Sequence, residues 1–276
     1  MAHSFTTNHL NERLAISTAV FQNENLGESH IAKLKDVGIN RIEISSIPRS
    51  FDFHNTAQVN EVKNACQKHS VQVVSVHGPF DLRYNDPDET IRKSVVEQSL
   101  IAIRFAAEMG ASVYVAHFGF KDHGAQTITD LLDATPDLDI ILTTENQTAQ
   151  PFEPYMQIVD TINHDRFGMI IDIGHARDAD GINPFVKHDI ARQTLAQCGH
   201  RVKHVHLHET FDLIKKPDHR PPLHKNGLIE WGEIFAALGD INYTGDFVFE
   251  DGRGEDPDDW IQHTADFPET FMQKYG

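Results

Sequence analysis

The sequence predicts a single (β/α)8 barrel of the α/β class, one domain over residues 1–276, and three observations carry that prediction. Eight short runs rich in β-branched and apolar residues recur along the chain, each followed by a longer amphipathic stretch, which is the pattern of βαβ units around a parallel sheet. Their starts are about 33 residues apart, so eight units take up nearly the whole chain and leave no room for a second domain. No linker rich in Pro, Gly or Ser interrupts the series. An open doubly wound sheet is the competing arrangement.

The strand candidates, in order, are Leu14–Phe21, Ile39–Ser46, Val71–His77, Ala111–Gly119, Asp139–Glu145, Gly168–Asp172, Val202–His206 and Gly245–Glu250. Helical stretches fall between them, among them Glu28–Val37, Thr56–His69, Pro87–Met109 and Pro184–Cys198. Asp86-Pro87 supplies a cap and a φ-locked residue for the start of the third helix. Gly38 and Gly110 stand just before strands, where a left-handed residue ends a helix.

Composition narrows the function. With 24 Lys+Arg against 41 Asp+Glu the formal charge is −17, which disfavours a nucleic-acid partner, since phosphate binding needs dense positive charge. No apolar run approaches the ~20 residues of a membrane span, and Met1–Thr7 lacks a secretory pattern. Cys66 and Cys198 are far apart and form no disulfide framework, so a reducing, cytoplasmic location is expected. A homo-oligomer is compatible with these features. P-loop, Gly-x-Ser-x-Gly and Gly-x-Gly-x-x-Gly motifs are absent.

The 18 histidines are informative by position. Active sites of such barrels form at the C-terminal ends of the strands. Strands three to eight end in His77, His117, Glu145, Asp172, His206 and Glu250, with His175 three residues beyond Asp172 and His208 two beyond His206. Three carboxylates and several imidazoles in one barrel mouth would repel or stay unpaired without a divalent cation to share. Glu145, Asp172, His206 and Glu250 form an oxygen-rich set suited to Mn2+, Mg2+, Co2+ or Zn2+. His77 and His117 form a second, more zinc-like set in which Glu145 is the bridge. One metal is the leading expectation, two or three the alternative.

Taken together, Val76-His77-Gly78-Pro79, Glu145-Asn146, Asp172-Ile173-Gly174-His175, His206-Leu207-His208-Glu209 and Gly227-Leu228-Ile229-Glu230-Trp231 resemble the xylose isomerase-like TIM barrels. That superfamily holds sugar isomerases and epimerases as well as nucleases of the endonuclease IV type. The epimerase resemblance implies one metal on Glu145, Asp172, His206 and Glu250, with the two glutamates flanking the substrate as acid and base. The nuclease resemblance implies three zinc ions, with His77, His117, Glu145, Asp172, His175, His206 and Glu250 as seven of the ligands. Its remaining two ligands come from an Asp-x-His. Here the segment reads Asp218-His219-Arg220, with Arg220 where the second ligand would fall, so that His219 or His224 would serve only after a shift.

The leading expectation is therefore a divalent-metal-dependent isomerase or epimerase of a sugar or sugar phosphate, working by proton transfer through a metal-stabilised enediolate. Glu145 and Glu250 are the catalytic candidates, and His175, His77, His208 and Arg220 the substrate-binding ones. The substrate is expected to be a small polyhydroxy compound. A multinuclear zinc phosphodiesterase on abasic DNA and a non-catalytic metal- or sugar-binding barrel are the alternatives. Glu209 is expected near the metal shell or the substrate, and Glu43 points inward by parity. Phe51 and Phe53 either close over the mouth as a lid or pack on a neighbouring helix. Lys215 and Lys216 in the seventh loop either dock an anionic group or are solvated.

Overall fold

The computed structural model describes residues 5–147, 150–211, 219–250 and 256–276. Within them eight strands close into a barrel in sequence order, every neighbouring pair parallel. The strands are β1 Leu14–Ser17, β2 Arg41–Ser45, β3 Gln72–His77, β4 Val113–Ala116, β5 Ile141–Glu145, β6 Phe167–Asp172, β7 Val202–Leu207 and β8 Phe247–Phe249. The open doubly wound alternative is thereby excluded.

Around the barrel lie α2 Glu28–Asp36, α3 Thr56–His69, α4 Glu89–Glu108, α5 Asp122–Ala134, α6 Glu153–Ile162, α7 Ile190–Cys198, α8 Trp231–Asp240 and α9 Pro257–Tyr275, preceded by a short α1 Thr7–Arg13. The chain takes this form because strand alternation sends one set of side chains outward. Ile16, Ile42, Ile44, Phe247 and Phe249 pack with the helices in one large core. Ala15, Val74 and Val248 form a separate small apolar group, as do Val113, Val115 and Ile170. Ladder slips at Ile42/Glu43 and Met169/Ile170 re-aim the strands that carry the polar residues above.

Several boundaries differ from the sequence reading for local reasons. β1 stops at Ser17, whose hydroxyl accepts from Ala19 N–H and caps a 3-10 turn over Thr18–Phe21. The third outer helix begins at Glu89, two residues later than Pro87. Asp88 is its cap, accepting from Thr90 and Ile91 N–H, while Asp86 accepts from Asp88 N–H. Gly38 and Gly110 do adopt positive φ, +90° and +75°, at the turns into β2 and β4. Phe51 and Phe53 pack on Phe105 of α4 at 5.5 and 5.3 Å and are buried, so they belong to the core and not to a lid. No helix among the described residues is long and apolar enough to cross a membrane.

Candidate metal centre

The C-terminal ends of β3 to β8 converge, and with them the predicted residues. His77 ends β3, His117 follows β4, Glu145 ends β5, Asp172 ends β6, His206 lies on β7 and Glu250 follows β8. Donor atoms of Glu145, Asp172, His206 and Glu250 all lie within 4.8 Å of one another, and all four residues are buried. His77, His117 and Glu145 make a second group, and His175, His208 and His219 a third.

Glu145 joins the first two groups. Its Oε2 lies 3.2 Å from both His77 Nε2 and His117 Nε2, while its Oε1 lies 3.4 Å from His206 Nδ1. Asp172 joins the first to the third. Its Oδ2 is 2.7 Å from His175 Nδ1 and its Oδ1 is 2.9 Å from His208 Nε2. Glu250 Oε2 reaches His206 Nδ1 at 3.6 Å and His219 Nδ1 at 3.8 Å. Glu145 thus turns one oxygen toward His77 and His117 and the other toward His206.

The placement of each group has a local cause. Asn146 pins the end of β6, its Oδ1 accepting from Asp172 N–H at 2.8 Å and its Nδ2 donating to Asp172 C=O at 3.1 Å. Asp172 Oδ1 in turn accepts from His175 N–H at 2.9 Å, which folds the Asp-x-x-His segment back over the mouth. Gly174 is required beside it, because a Cβ there would lie 1.9 Å from His208 Cε1. The His77 ring stacks on Phe80 at 4.1 Å, and its Nδ1 lies 2.9 Å from Gly78 C=O.

Electrostatics fit a shared cation. Burial alone would raise the Glu145 carboxyl, but the imidazoles of His206, His117 and His77 outweigh it and hold it well below the ordinary carboxylate value. Asp172 is likewise depressed against its own burial by His175 and His208. Burial opposes charge on His206, yet Glu43, Glu250 and Glu145 raise it well above a free imidazole. Asp172 Oδ2 and His175 Nδ1 approach to 2.7 Å, yet neither buried atom has an aligned hydrogen-bond partner among the described residues. Paired donors that approach without bonding each other suit joint ligation of a metal ion. The donor chemistry fits one: three carboxylates with one imidazole for a hard or borderline cation, and added nitrogens on either side for zinc.

His219 joins the third group, its Nε2 3.2 Å from His175 Nε2, so the seventh loop does contribute a histidine despite the departure from Asp-x-His. Arg220 is placed differently. Its C=O accepts from Glu209 N–H at 2.7 Å, and its guanidinium lies over the Phe211 ring at 5.7 Å. Glu209 is taken up by the fold, not by the site: its carboxylate accepts from Trp231 Nε1–H and from the N–H groups of Thr210 and Ile229. Asp218, Lys215, Lys216 and the acidic run 251–255 lie outside the described residues.

Sequence reasoning left Glu43 undecided, and it lies directly beneath the site, its Oε2 3.1 Å from His206 Nε2. The inward parity of Glu43 on β2 was the available signal. Phe80 carried none, since loop residues have no periodicity to read.

The closed barrel thus carries at its mouth acidic and histidine groups that could hold a metal ion. Residues 31–271 match the family model described as the xylose isomerase-like TIM barrel, and the chain belongs to that family. It is 25% identical over 256 residues to the uncharacterized protein MJ1311 of Methanocaldococcus jannaschii, covering 86% of this chain and 82% of that one. Among solved structures it is similar to a D-tagatose 3-epimerase-like protein, with TM-score 0.74 and 21% identity over 95% of this chain and 96% of the other. It is also similar to the D-psicose 3-epimerase of Clostridium cellulolyticum H10, with TM-score 0.73 and 15% identity over 95% and 99%. At these identities the structural likeness is one of fold.

Proposed function

We propose that this protein is a divalent-metal-dependent isomerase or epimerase of a small sugar or sugar phosphate. The observation that carries the reading is the convergence of Glu145, Asp172, His206 and Glu250 donor atoms within 4.8 Å in a buried group at the barrel mouth. A cation held by these four residues would supply Lewis acidity to a substrate carbonyl and so acidify the adjacent C–H. Glu145 ends β5 and Glu250 follows β8, and in this reading one removes the proton while the other, or the same one, returns it. Imidazoles hold the Glu145 carboxyl well below the ordinary carboxylate value, and Glu250 Oε2 lies 3.6 Å from His206 Nδ1. His175, at the rim, holds a substrate hydroxyl, and His77 and His208 contact the substrate or the metal. Phe80, stacked on His77, walls one side against water. Arg220, whose guanidinium lies over the Phe211 ring, takes an anionic substituent of the substrate in this reading. The D-psicose 3-epimerase and the D-tagatose 3-epimerase-like protein that share the fold support a sugar as substrate class, and the −17 charge disfavours nucleic acid. Two buried free cysteines suit a reducing, cytoplasmic location.

The histidine groups flanking the tetrad favour a second reading, a trinuclear zinc phosphodiesterase acting on abasic DNA. The two separate cleanly. Protein purified without chelator is analysed for metal, loaded with Mn2+, Co2+ or Zn2+, and assayed against a panel of ketoses and aldoses, free and phosphorylated, and against abasic DNA. The proposal expects sugar interconversion abolished by chelation and no incision. Three zinc ions per chain with incision, and no sugar turnover, would replace it with the second reading.

A further inference from the structure

His206 uses both ring nitrogens. Nδ1 faces the mouth, 3.4 Å from Glu145 Oε1 and 3.6 Å from Glu250 Oε2. Nε2 faces down the barrel, 3.1 Å from Oε2 of Glu43. Glu43 enters from β2 and is fully buried, at 0% exposure. It is itself held: Ser75 Oγ donates to the same Oε2 at 2.8 Å, and His204 Nε2 lies 3.5 Å from it. The ladder between β2 and β3 slips at Ile42/Glu43, and this places Glu43 opposite Ser75. Its second oxygen, Oε1, accepts no hydrogen bond among the described residues.

A carboxylate at the bottom of a barrel is costly to bury, and an apolar side chain would fill the same space at less cost. What it supplies is a fixed acceptor. Neutral imidazole has one N–H and one lone pair, and an ionised carboxylate can only accept. With a cation at the mouth taking the charge of Glu145 and Glu250, a carboxylate at Nε2 therefore places the proton there and leaves the lone pair on Nδ1. It also fixes the ring plane and makes Nδ1 a better donor.

We propose that Glu43 is a positioning residue: through its contact with Nε2 it holds His206 as the Nε2–H tautomer, with the Nδ1 lone pair turned toward Glu145 and Glu250. Ser75 orients Glu43. The proposal rests on the reading that the mouth binds a divalent cation, and it adds a third layer beneath that site, from Ser75 to Glu43 to His206.

The test uses Zn2+, which is diamagnetic, and needs no substrate. Long-range 1H–15N NMR of the Zn2+-loaded wild-type protein is expected to show His206 with a proton on Nε2 and zinc on Nδ1. Calorimetric titration of metal-free protein with Zn2+ is expected to give affinity about 10-fold to 100-fold lower for Glu43→Gln, with a smaller loss for Ser75→Ala and folded far-UV spectra for both. A His206 protonated on Nδ1 and ligated through Nε2 overturns the proposal without a variant being needed. Metal on both nitrogens overturns it too, because Glu43, His204 and His206 would then form a cation site of their own. Wild-type affinity in a folded Glu43→Gln protein also overturns it, while leaving the metal site standing. Failure of the wild type to bind Zn2+, Mn2+ or Co2+ at all removes both this proposal and the function it rests on.

Discussion

Glu145 and Glu209 are both buried acids at or just beyond the end of a barrel strand, and they have opposite fates. The Glu209 carboxylate meets Trp231 Nε1–H and two backbone N–H groups, at 3.1 Å each, from segments before and after the seventh loop. A Cβ at Gly227 would lie 2.1 Å from its carboxyl carbon, so the loop closes on it without room to spare. Burial pushes the Glu209 carboxyl up, with those donors pulling the other way. Among the described residues the ion-pair partners of Glu145 are imidazoles, divided between its two oxygens. Backbone and indole N–H groups complete the Glu209 carboxylate within the fold, whereas the imidazoles around Glu145 belong to groups that could share it with a cation. On the proposed reading, the type of donor around Glu145 and Glu209 sets the reacting acid apart from the fold-holding one.

Substitutions at the two positions sharpen the contrast, and the largest effect belongs to Glu145. Glu145→Gln should lower turnover by about 10²–10⁴-fold, the usual range for loss of a general acid or base, in steady-state assays on folded protein. Glu250→Gln should do the same. Near-normal activity in both variants would remove the proton-transfer mechanism. Glu209→Gln should leave kcat within a few-fold, yet it turns an amide N–H2 toward fixed N–H donors. The expected cost is about 1–3 kcal/mol in denaturant unfolding. Metal addition comes next in size. At free metal about 100 times its Kd, linkage gives about 2.7 kcal/mol of stabilisation. For a chain of this size that raises Tm by roughly 5–10 °C in calorimetry. The gain should vanish in Asp172→Asn and persist in Glu209→Gln. Gly174→Ala makes the smallest change, displacing the His208 ring through the new Cβ; a several-fold weaker metal affinity by titration is expected while the barrel still folds.

The contrast also explains what the sequence made legible. Barrel period and strand-end position are long-range regularities, so the eight units and the six residues His77, His117, Glu145, Asp172, His206 and Glu250 were readable from spacing alone. The fate of Glu209 depends on Trp231 and Ile229, some twenty residues away across a loop, and no local pattern encodes that meeting. His219 reaches the site through a left-handed residue, φ +54°, on a segment whose spacing departs from the expected motif. Glu43 gave a parity signal, but its partner His206 lies far off in sequence and only barrel closure joins them. The short α1, whose Arg13 donates to the C=O groups of Gly245 and Tyr243, carried too weak a pattern to anticipate.

Proton transfer at a carbon beside a carbonyl is the central claim, and solvent exchange reads it most directly. Metal-loaded protein is incubated in D2O with a panel of ketoses and aldoses, free and phosphorylated, and deuterium at the carbon next to the carbonyl is followed by NMR. The account predicts incorporation into at least one sugar that stops on chelation and falls by orders of magnitude in Glu145→Gln. Tight metal binding with no incorporation into any member of the panel would contradict it.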